Sequence, residues 1–426
     1  MAGNTNLGAA KAAKNDEFYT QWDDIESEMQ AYLEYDPDVF RGKTVLLPCD
    51  DPGASNFTKY FALNFEKFGL KKLISTSYAP ASNPAVTEKG QMLLDFALGE
   101  DQDEKFNEDD TWHRGRIYVL EQGADLNDDG KLNKEDLKWD YLEGDGDFRS
   151  DEVTKLRDEA DIVVTNPPFS LFREFLAWLV EGDVKFSIIG NKNAITYKEV
   201  FPMIRDNKLW LGNGFAKGNA YFRIPPELAR DFAAGVYDED TSTVHFRNID
   251  WFTNIEHGRR HEPLVLMTME DNLVYGSKKV RSAGYPKYDN YDAIEVPETK
   301  GIPSDYAGVM GVPISFLDKY NPDQFEIIGY DGDEYLVTKQ YGKKEKVVDG
   351  QRMKSVTGTL GCTIRYEEFG EGTFFDVGYP VKNCYKRIFI RHRNPERKES
   401  QPLSRSRVGQ SSLRCKRGLS HVEVRG

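Results

Sequence analysis

The sequence predicts an α/β fold: a mostly parallel sheet with an antiparallel hairpin edge, followed by a smaller C-terminal α+β domain. Three observations predict it. Apolar runs at 44–49 (TVLLPC), 71–78 (KKLISTSY), 162–165 (IVVT) and 185–190 (KFSIIG) have the length and texture of strands buried on both faces. Two of these runs lead through turn chemistry, DDPGASN at 50–56 and NPP at 166–168, into amphipathic helical patterns, FTKYFALNFEKFG and SLFREFLAWLVEG. The strand, turn, helix, strand order is that of βαβ units, which place each turn at the carboxyl end of its strand, where open α/β sheets bind ligands.

After these units, KLWLGNGF, NAYFRIP, HFRNIDWFTNIE and PLVLMTM alternate enough to suggest the antiparallel edge of the sheet, and Trp251 and Phe252 read as core residues of a late strand. Near Asp271 the texture becomes rich in Tyr, Gly and Pro. The organisation read from this is a domain over 1–270 with an Asp-rich insertion at about 121–140, a second over 271–390, and a basic, disordered tail over 391–426.

Composition narrows the function. The formal net charge is −15, so the chain is not built to coat nucleic acid indiscriminately; an acidic shell around one basic cleft remains compatible with a DNA substrate. No run of about 18 apolar residues occurs, which predicts a cytoplasmic protein with no membrane partner. Cys49, Cys362, Cys384 and Cys415 lack metal-ligand spacing. Of the histidines, His257 and His261 flank Arg259 and Arg260 in a loop with the character of a phosphate contact.

The chemistry concentrates in Asn166-Pro167-Pro168-Phe169. The lone pair of an aromatic amino group is delocalised, so a nucleophilic amine requires a rigid pair of hydrogen-bond acceptors on its N–H groups. The Asn166 side-chain oxygen and the Pro167 carbonyl form such a pair, because consecutive prolines fix φ at the end of a buried strand. Phe169 offers a ring face to a flipped-out base. A bare Asn-Pro-Pro is more often only a turn; the buried strand before it and the amphipathic helix after it favour a catalytic reading.

A second motif runs from Asp125 to Asp136. Asp125, Asn127, Asp129, Lys131 and Asp136 stand at positions one, three, five, seven and twelve of a calcium loop, with Gly130 at six. The twelfth ligand is Asp rather than Glu, and the preceding GRIYVLEQ reads as a strand rather than a helix. Calcium binding and a solvated insertion are equally compatible with this spacing; an ion here would order the insertion and take no part in chemistry.

The segments NDEFYTQWDDIE, DDPGASNFTKYF, GDGDFRSDEV, TNPPFSLFREF, DWFTNIEH, YDNYDAIEV and GVMGVPISFLDKY, in that order, resemble the EcoRI-type adenine-specific DNA methyltransferase family in its gamma-like motif order, over roughly 15–390. The resemblance implies a Rossmann-like methyltransferase sheet and transfer of a methyl group from S-adenosyl-L-methionine to adenine N6 in double-stranded DNA. It implies the modification half of a restriction system or an orphan methylase, with a cognate restriction endonuclease acting on the same site without a stable complex, and GAATTC as a candidate target. Residue by residue, it implies that Phe18, Tyr19 and Thr20 contact the methionine end of the cofactor. Asp50, Asp51 and Pro52 take the place of the usual glycine-rich turn, a departure that the family shares. Asp147 would accept from the cofactor adenine while Phe148 packs beside the purine; no residue is assigned to the ribose. The region 271–390 would read the DNA target. The alternatives are methylation of RNA adenine or a protein glutamine amide, to which the same amino chemistry applies, and a non-catalytic calcium-dependent binding module, which leaves Asn166–Phe169 unexplained.

Overall fold

The computed structural model describes residues 19–50, 55–79, 107–124, 138–215, 219–224, 237–355, 360–367, 372–384 and 386–396. Its centre is an eight-stranded sheet in the order Lys138–Tyr141, Arg116–Glu121, Lys72–Thr76, Thr44–Leu47, Ile162–Thr165, Lys185–Asn191, Ile249–Thr253, Trp210–Leu211. The four middle strands, Lys72–Thr76 to Lys185–Asn191, are mutually parallel. Both flanks are antiparallel. The fold is therefore the expected α/β sheet, with antiparallel strands at each edge rather than one.

The apolar runs form central strands because both faces need covering. Thr44–Leu47 and Ile162–Thr165 are buried at every position. Side chains alternate across the sheet, so Leu46 and Val163 join one apolar cluster with the helix Phe172–Glu181, whereas Val45, Leu47, Ile162 and Val164 join another with the helices Trp22–Tyr35 and Asn56–Leu63. Trp251 and Phe252 are fully buried in the strand Ile249–Thr253, as their composition suggests.

Two local expectations differ. The pattern FTKYFALNFEKFG is not one helix: Ser55 caps Asn56–Leu63 by accepting from Phe57 N at 3.0 Å, and Asn64 interrupts before a short second turn, Phe65–Phe68, that ends on Gly69 at φ 64°. PLVLMTM is not a strand. It runs without sheet partners, Val265 is 99% exposed, and Thr268 caps the following helix Met269–Tyr275.

A small antiparallel sheet, ordered Tyr19–Thr20, Asn219–Arg223, Thr243–Arg247, Tyr237–Asp238, packs beside the large one through Phe222, Val244 and Phe246. The C-terminal region holds a four-stranded and a five-stranded sheet. The first of these shares an apolar cluster with the helix Phe172–Glu181, and Lys192 at the end of a central strand pairs with both Asp250 (2.9 Å) and Asp318 (2.5 Å). The strand Arg387–His392 continues past the composition change at 391, and Glu396 N donates to Ser304 O at 2.9 Å, so the first residues of the basic segment are folded. Among the described residues, no helix is long and apolar enough to cross a membrane.

Candidate active site

The chain visits Lys72–Thr76 on one side of Thr44–Leu47 and later returns to Ile162–Thr165 on the other. The crevice outside the carboxyl ends of these strands is the topological switch point, the ordinary ligand site of such sheets. Asp50 lies there and ties the three strands together. Its backbone N donates to Thr76 O at 3.1 Å, and its backbone O accepts from Ser75 Oγ at 2.5 Å. Its buried carboxylate accepts from Ser55 Oγ at 2.7 Å through one oxygen and from Thr165 Oγ1 at 2.5 Å through the other. Thr165 immediately precedes Asn166, so the carboxylate end of DDP and the start of NPPF are joined by one hydrogen bond.

Beyond Thr165 the chain leaves the sheet through Asn166, Pro167 and Pro168 and enters the short turn Phe169–Leu171, closed by Leu171 N donating to Pro168 O at 3.0 Å. Pro167 is buried, while Asn166, Pro168 and Phe169 are half-buried. The Phe169 ring meets Phe222 and Phe246 of the small sheet edge-on, with centroids at 6.1 and 6.3 Å. Asp161, which precedes the strand, stands at its opposite end and accepts from Thr44 N at 2.8 Å; its place is structural.

Tyr19 and Thr20 reach the same end of the sheet. Thr20 pairs with Phe222, and its carbonyl accepts from Asn56 Nδ2 at 2.8 Å, at the start of the helix that follows the DDP turn. Its hydroxyl is buried without a hydrogen-bond partner among the described residues. A buried polar atom in that position calls for an external partner, which fits the polar methionine end of a cofactor. Phe18, Asp51 and Pro52 lie outside the described residues, as does the Tyr19 side chain.

The loop with Asp147 arrives from the other side. Gly146 has φ +81°, and a Cβ on it would stand 2.1 Å from Ser77 O, so only glycine lets this loop close on the end of the strand Lys72–Thr76. Asp147 accepts from Arg149 Nε at 2.9 Å and Nη2 at 2.6 Å, and this fork holds its carboxyl below the usual carboxylate range. Phe148 follows, buried. Its ring is 4% exposed, closed in by Phe175 at 4.9 Å and Trp178 at 5.6 Å with the Arg149 guanidinium at 5.5 Å. It packs against the helix Phe172–Glu181, one residue after Asp147.

The loop Asp125, Asn127, Asp129, Lys131 and Asp136 lies outside the described residues. Its flanks, Arg116–Glu121 and Lys138–Tyr141, pair antiparallel, so it joins the two strands of a hairpin. Among the described residues, no group of three or more His, Cys, Asp or Glu side chains is placed to hold a metal. The GRRH loop divides: Arg259 is exposed, whereas Arg260 is buried with its guanidinium 3.8 Å from the centre of the Trp210 ring.

One buried charge has no place in the sequence reading. Glu28 shares the inner face of its helix with Ile25, Met29 and Tyr32, accepting from Tyr32 Oη at 2.5 Å and from the backbone N of Asn213 at 2.8 Å and Gly214 at 3.3 Å. It thereby fixes the turn that leads from the large sheet toward the small one. The available signal was an acid at the helical spacing of apolar residues. Burial pushes its carboxyl up to about 8 from 4.5. Between those values the folded chain keeps a proton that the unfolded chain releases, so stability falls as pH rises through that window and levels off above it. Glu28→Gln is expected to match the parent at about pH 5 and to exceed it in denaturant midpoint at about pH 8; parallel pH profiles for the two proteins would refute this.

Comparison with known proteins is consistent with this geometry. The family described as "Adenine-specific methyltransferase EcoRI" matches residues 6–370. The chain is 43% identical over 332 residues to the Type II methyltransferase M.EcoRI of Escherichia coli, covering 77% of this chain and 90% of that protein. It is 33% identical over 328 residues to the Type II methyltransferase M.MpnI of Mycoplasma pneumoniae, covering 75% and 83% respectively. It is 35% identical over 332 residues to the Type II methyltransferase M.MgeORF184P of Mycoplasma genitalium, covering 76% and 85%.

Proposed function

This chain belongs to the EcoRI family of adenine-specific methyltransferases, and from that premise we propose that it methylates adenine N6 in double-stranded DNA at the crevice between Asp50, Asp147 and Asn166. The observation that supports this reading is the hydrogen bond from Thr165 to Asp50, which joins the start of the NPPF turn to the start of the DDP turn. As a methyltransferase of this family it uses S-adenosyl-L-methionine, which when bound supplies an electrophilic methyl group.

The residues divide the work. Thr20 and Asp50 hold the methionine end, the carboxylate retaining lone-pair sites beyond those taken by Ser55 and Thr165 for an ammonium group. Asp147 accepts from the adenine amino group of the cofactor. Asn166 Oδ1 and the Pro167 carbonyl accept the two N–H groups of the target base, returning lone-pair density to nitrogen and aiming it at the methyl carbon. Phe169 receives the face of the flipped base, its ring held from behind by Phe222 and Phe246. The region beyond Asp271 reads the target sequence. We place the enzyme in the cytoplasm, as the modification partner of an endonuclease cutting the same site or as an orphan methylase.

Asp147→Ala is expected to raise the cofactor dissociation constant about tenfold or more, the loss of one charge-assisted hydrogen bond. Arg149→Gln, which frees the carboxyl instead of removing it, should not. Calorimetric titration of both variants tests this, and an unchanged constant in Asp147→Ala removes Asp147 from the site.

A further inference from the structure

The rim of the crevice beyond the NPPF turn carries a charge that the catalytic reading does not use. Arg173 stands four residues after Phe169, in the first turn of the helix Phe172–Glu181 and about 6 Å further along at the usual helical rise. That end of the helix lies at the carboxyl end of the strand Ile162–Thr165, because the chain passes from one to the other through 166–171. Tyr197 reaches the same end of the sheet by another route. It follows the turn Lys192–Thr196, which leaves the strand Lys185–Asn191, the parallel neighbour of Ile162–Thr165.

The two side chains meet, with the Arg173 guanidinium 4.1 Å from the centre of the Tyr197 ring. Tyr197 is half-buried and packs against the core, so its ring is a fixed support for an exposed arginine. Among the described residues this guanidinium has no hydrogen bond or ion pair. Glu174, its neighbour in sequence, is taken by Arg149 at 3.0 Å, and the exposed pair Lys198–Glu199 at 3.6 Å adds no net charge. A guanidinium laid on an aromatic ring keeps its N–H edges free and oriented, a geometry that suits the oxygens of a phosphate. The C-terminal region brings a second cation to the same place: Lys386 Nζ donates to Thr196 Oγ1 at 3.4 Å, one residue before Tyr197. Lys386 also faces the half-buried carboxylate of Asp331, so the uncompensated charge is that of Arg173.

We propose that Arg173, supported by Tyr197, binds a backbone phosphate of the duplex close to the nucleotide whose base is turned toward Phe169. Three features point to this occupant: a planar cation with free donors in a chain whose net charge is −15, a ring that holds it in one orientation, and a place one helical turn from Phe169 on the same connection out of the sheet. The inference rests on the assignment of duplex DNA as the substrate and names a group that would hold its backbone. A pair that serves packing alone would leave DNA binding untouched when the charge is removed, and that difference decides between the two.

The test is fluorescence anisotropy of a labelled plasmid fragment, titrated over a range of salt, with parent, Arg173→Gln, Arg173→Lys and Tyr197→Leu proteins. Each phosphate contact contributes about 0.9 to the slope of log affinity against log salt. Arg173→Gln is expected to flatten the slope by about one and to weaken binding about tenfold at about 0.1 M salt, with the cofactor dissociation constant and the denaturation midpoint unchanged. Arg173→Lys should restore the slope, because phosphate accepts a point charge, and Tyr197→Leu should keep the slope while losing about threefold in affinity, because it removes the support and not the charge. Parental slope and affinity in Arg173→Gln overturn the phosphate contact and leave the methylation assignment intact. A slope in Arg173→Lys as flat as that of Arg173→Gln also overturns it, since the loss would then not be one of charge. A parent protein that binds no duplex and methylates none overturns the substrate assignment with it, a failure seen in the parent rather than in the variants.

Discussion

Asn166→Ala is expected to lower kcat by about 10³-fold, comparable to removing one preorganised transition-state partner in other enzymes, while the cofactor dissociation constant stays within about threefold. The reason is when the interaction is made. A hydrogen bond accepted from the target amine strengthens only as nitrogen gains electron density, so its loss falls on the transition state and not on cofactor binding. The turn itself should survive, because Pro167 and Pro168 fix the backbone and Leu171 N closes it on Pro168 O. Asn166→Asp, which keeps an acceptor oxygen, should recover part of the lost rate. Single-turnover methyl transfer with saturating DNA separates the chemical step from product release. Weak cofactor binding with preserved turnover would move Asn166 from the catalytic to the cofactor role.

Asp50→Ala is expected to weaken both the fold and the cofactor complex. The substitution strips the acceptor from Ser55 and Thr165, hydroxyls that are 3% and 0% exposed. Each buried hydroxyl proton left without an acceptor costs about 1–3 kcal/mol; Ser55 Oγ keeps the bond it accepts from Phe57 N, and the sum is still a large share of the roughly 5–15 kcal/mol that stabilises a domain. Asp50→Asn separates the two consequences. A hydroxyl can rotate to donate or accept, so both Ser55 and Thr165 can still pair with the amide, and the unfolding midpoint should recover most of the loss. The carboxylate for the ammonium group is still missing, so the cofactor dissociation constant should remain raised by about tenfold or more. Full recovery of affinity in Asp50→Asn would show that Asp50 only ties the strands together.

The parts of the fold that were legible in the sequence are those where one physical requirement dominates. Thr44–Leu47 and Ile162–Thr165 need cover on both faces and therefore read as unbroken apolar runs; NPP stops such a run because proline cannot continue a central strand. PLVLMTM has a similar apolar texture but forms no strand, with Val265 exposed and Leu264 and Leu266 packed against the core, since hydropathy alone does not reveal whether a partner strand exists. Phe148 illustrates a similar limit: the motif fixes its neighbours in sequence, but Phe175 and Trp178, which enclose it, come from the helix Phe172–Glu181, beyond an intervening helix and strand. Glu28 stands at the helical spacing of apolar residues, but its partners were not legible, because Asn213 and Gly214 are about 185 positions away and act through backbone N–H groups that carry no residue signature. Of the small sheet, NAYFRIP and HFRNID were readable as strand texture one at a time, but the pairing of Asn219–Arg223 with Tyr19–Thr20 spans some 200 residues. That pairing is what brings the N-terminal motif to the crevice.

The central claim is methyl transfer to the exocyclic nitrogen of adenine in duplex DNA. Incubation of the protein with radiolabelled S-adenosyl-L-methionine and unmethylated plasmid, followed by nucleoside analysis of the digested DNA, tests it most directly. The label is expected to co-migrate with N6-methyladenosine of the deoxy series and to disappear with Asn166→Ala. Label in a cytosine nucleoside, or in RNA or protein but not in DNA, would contradict the account.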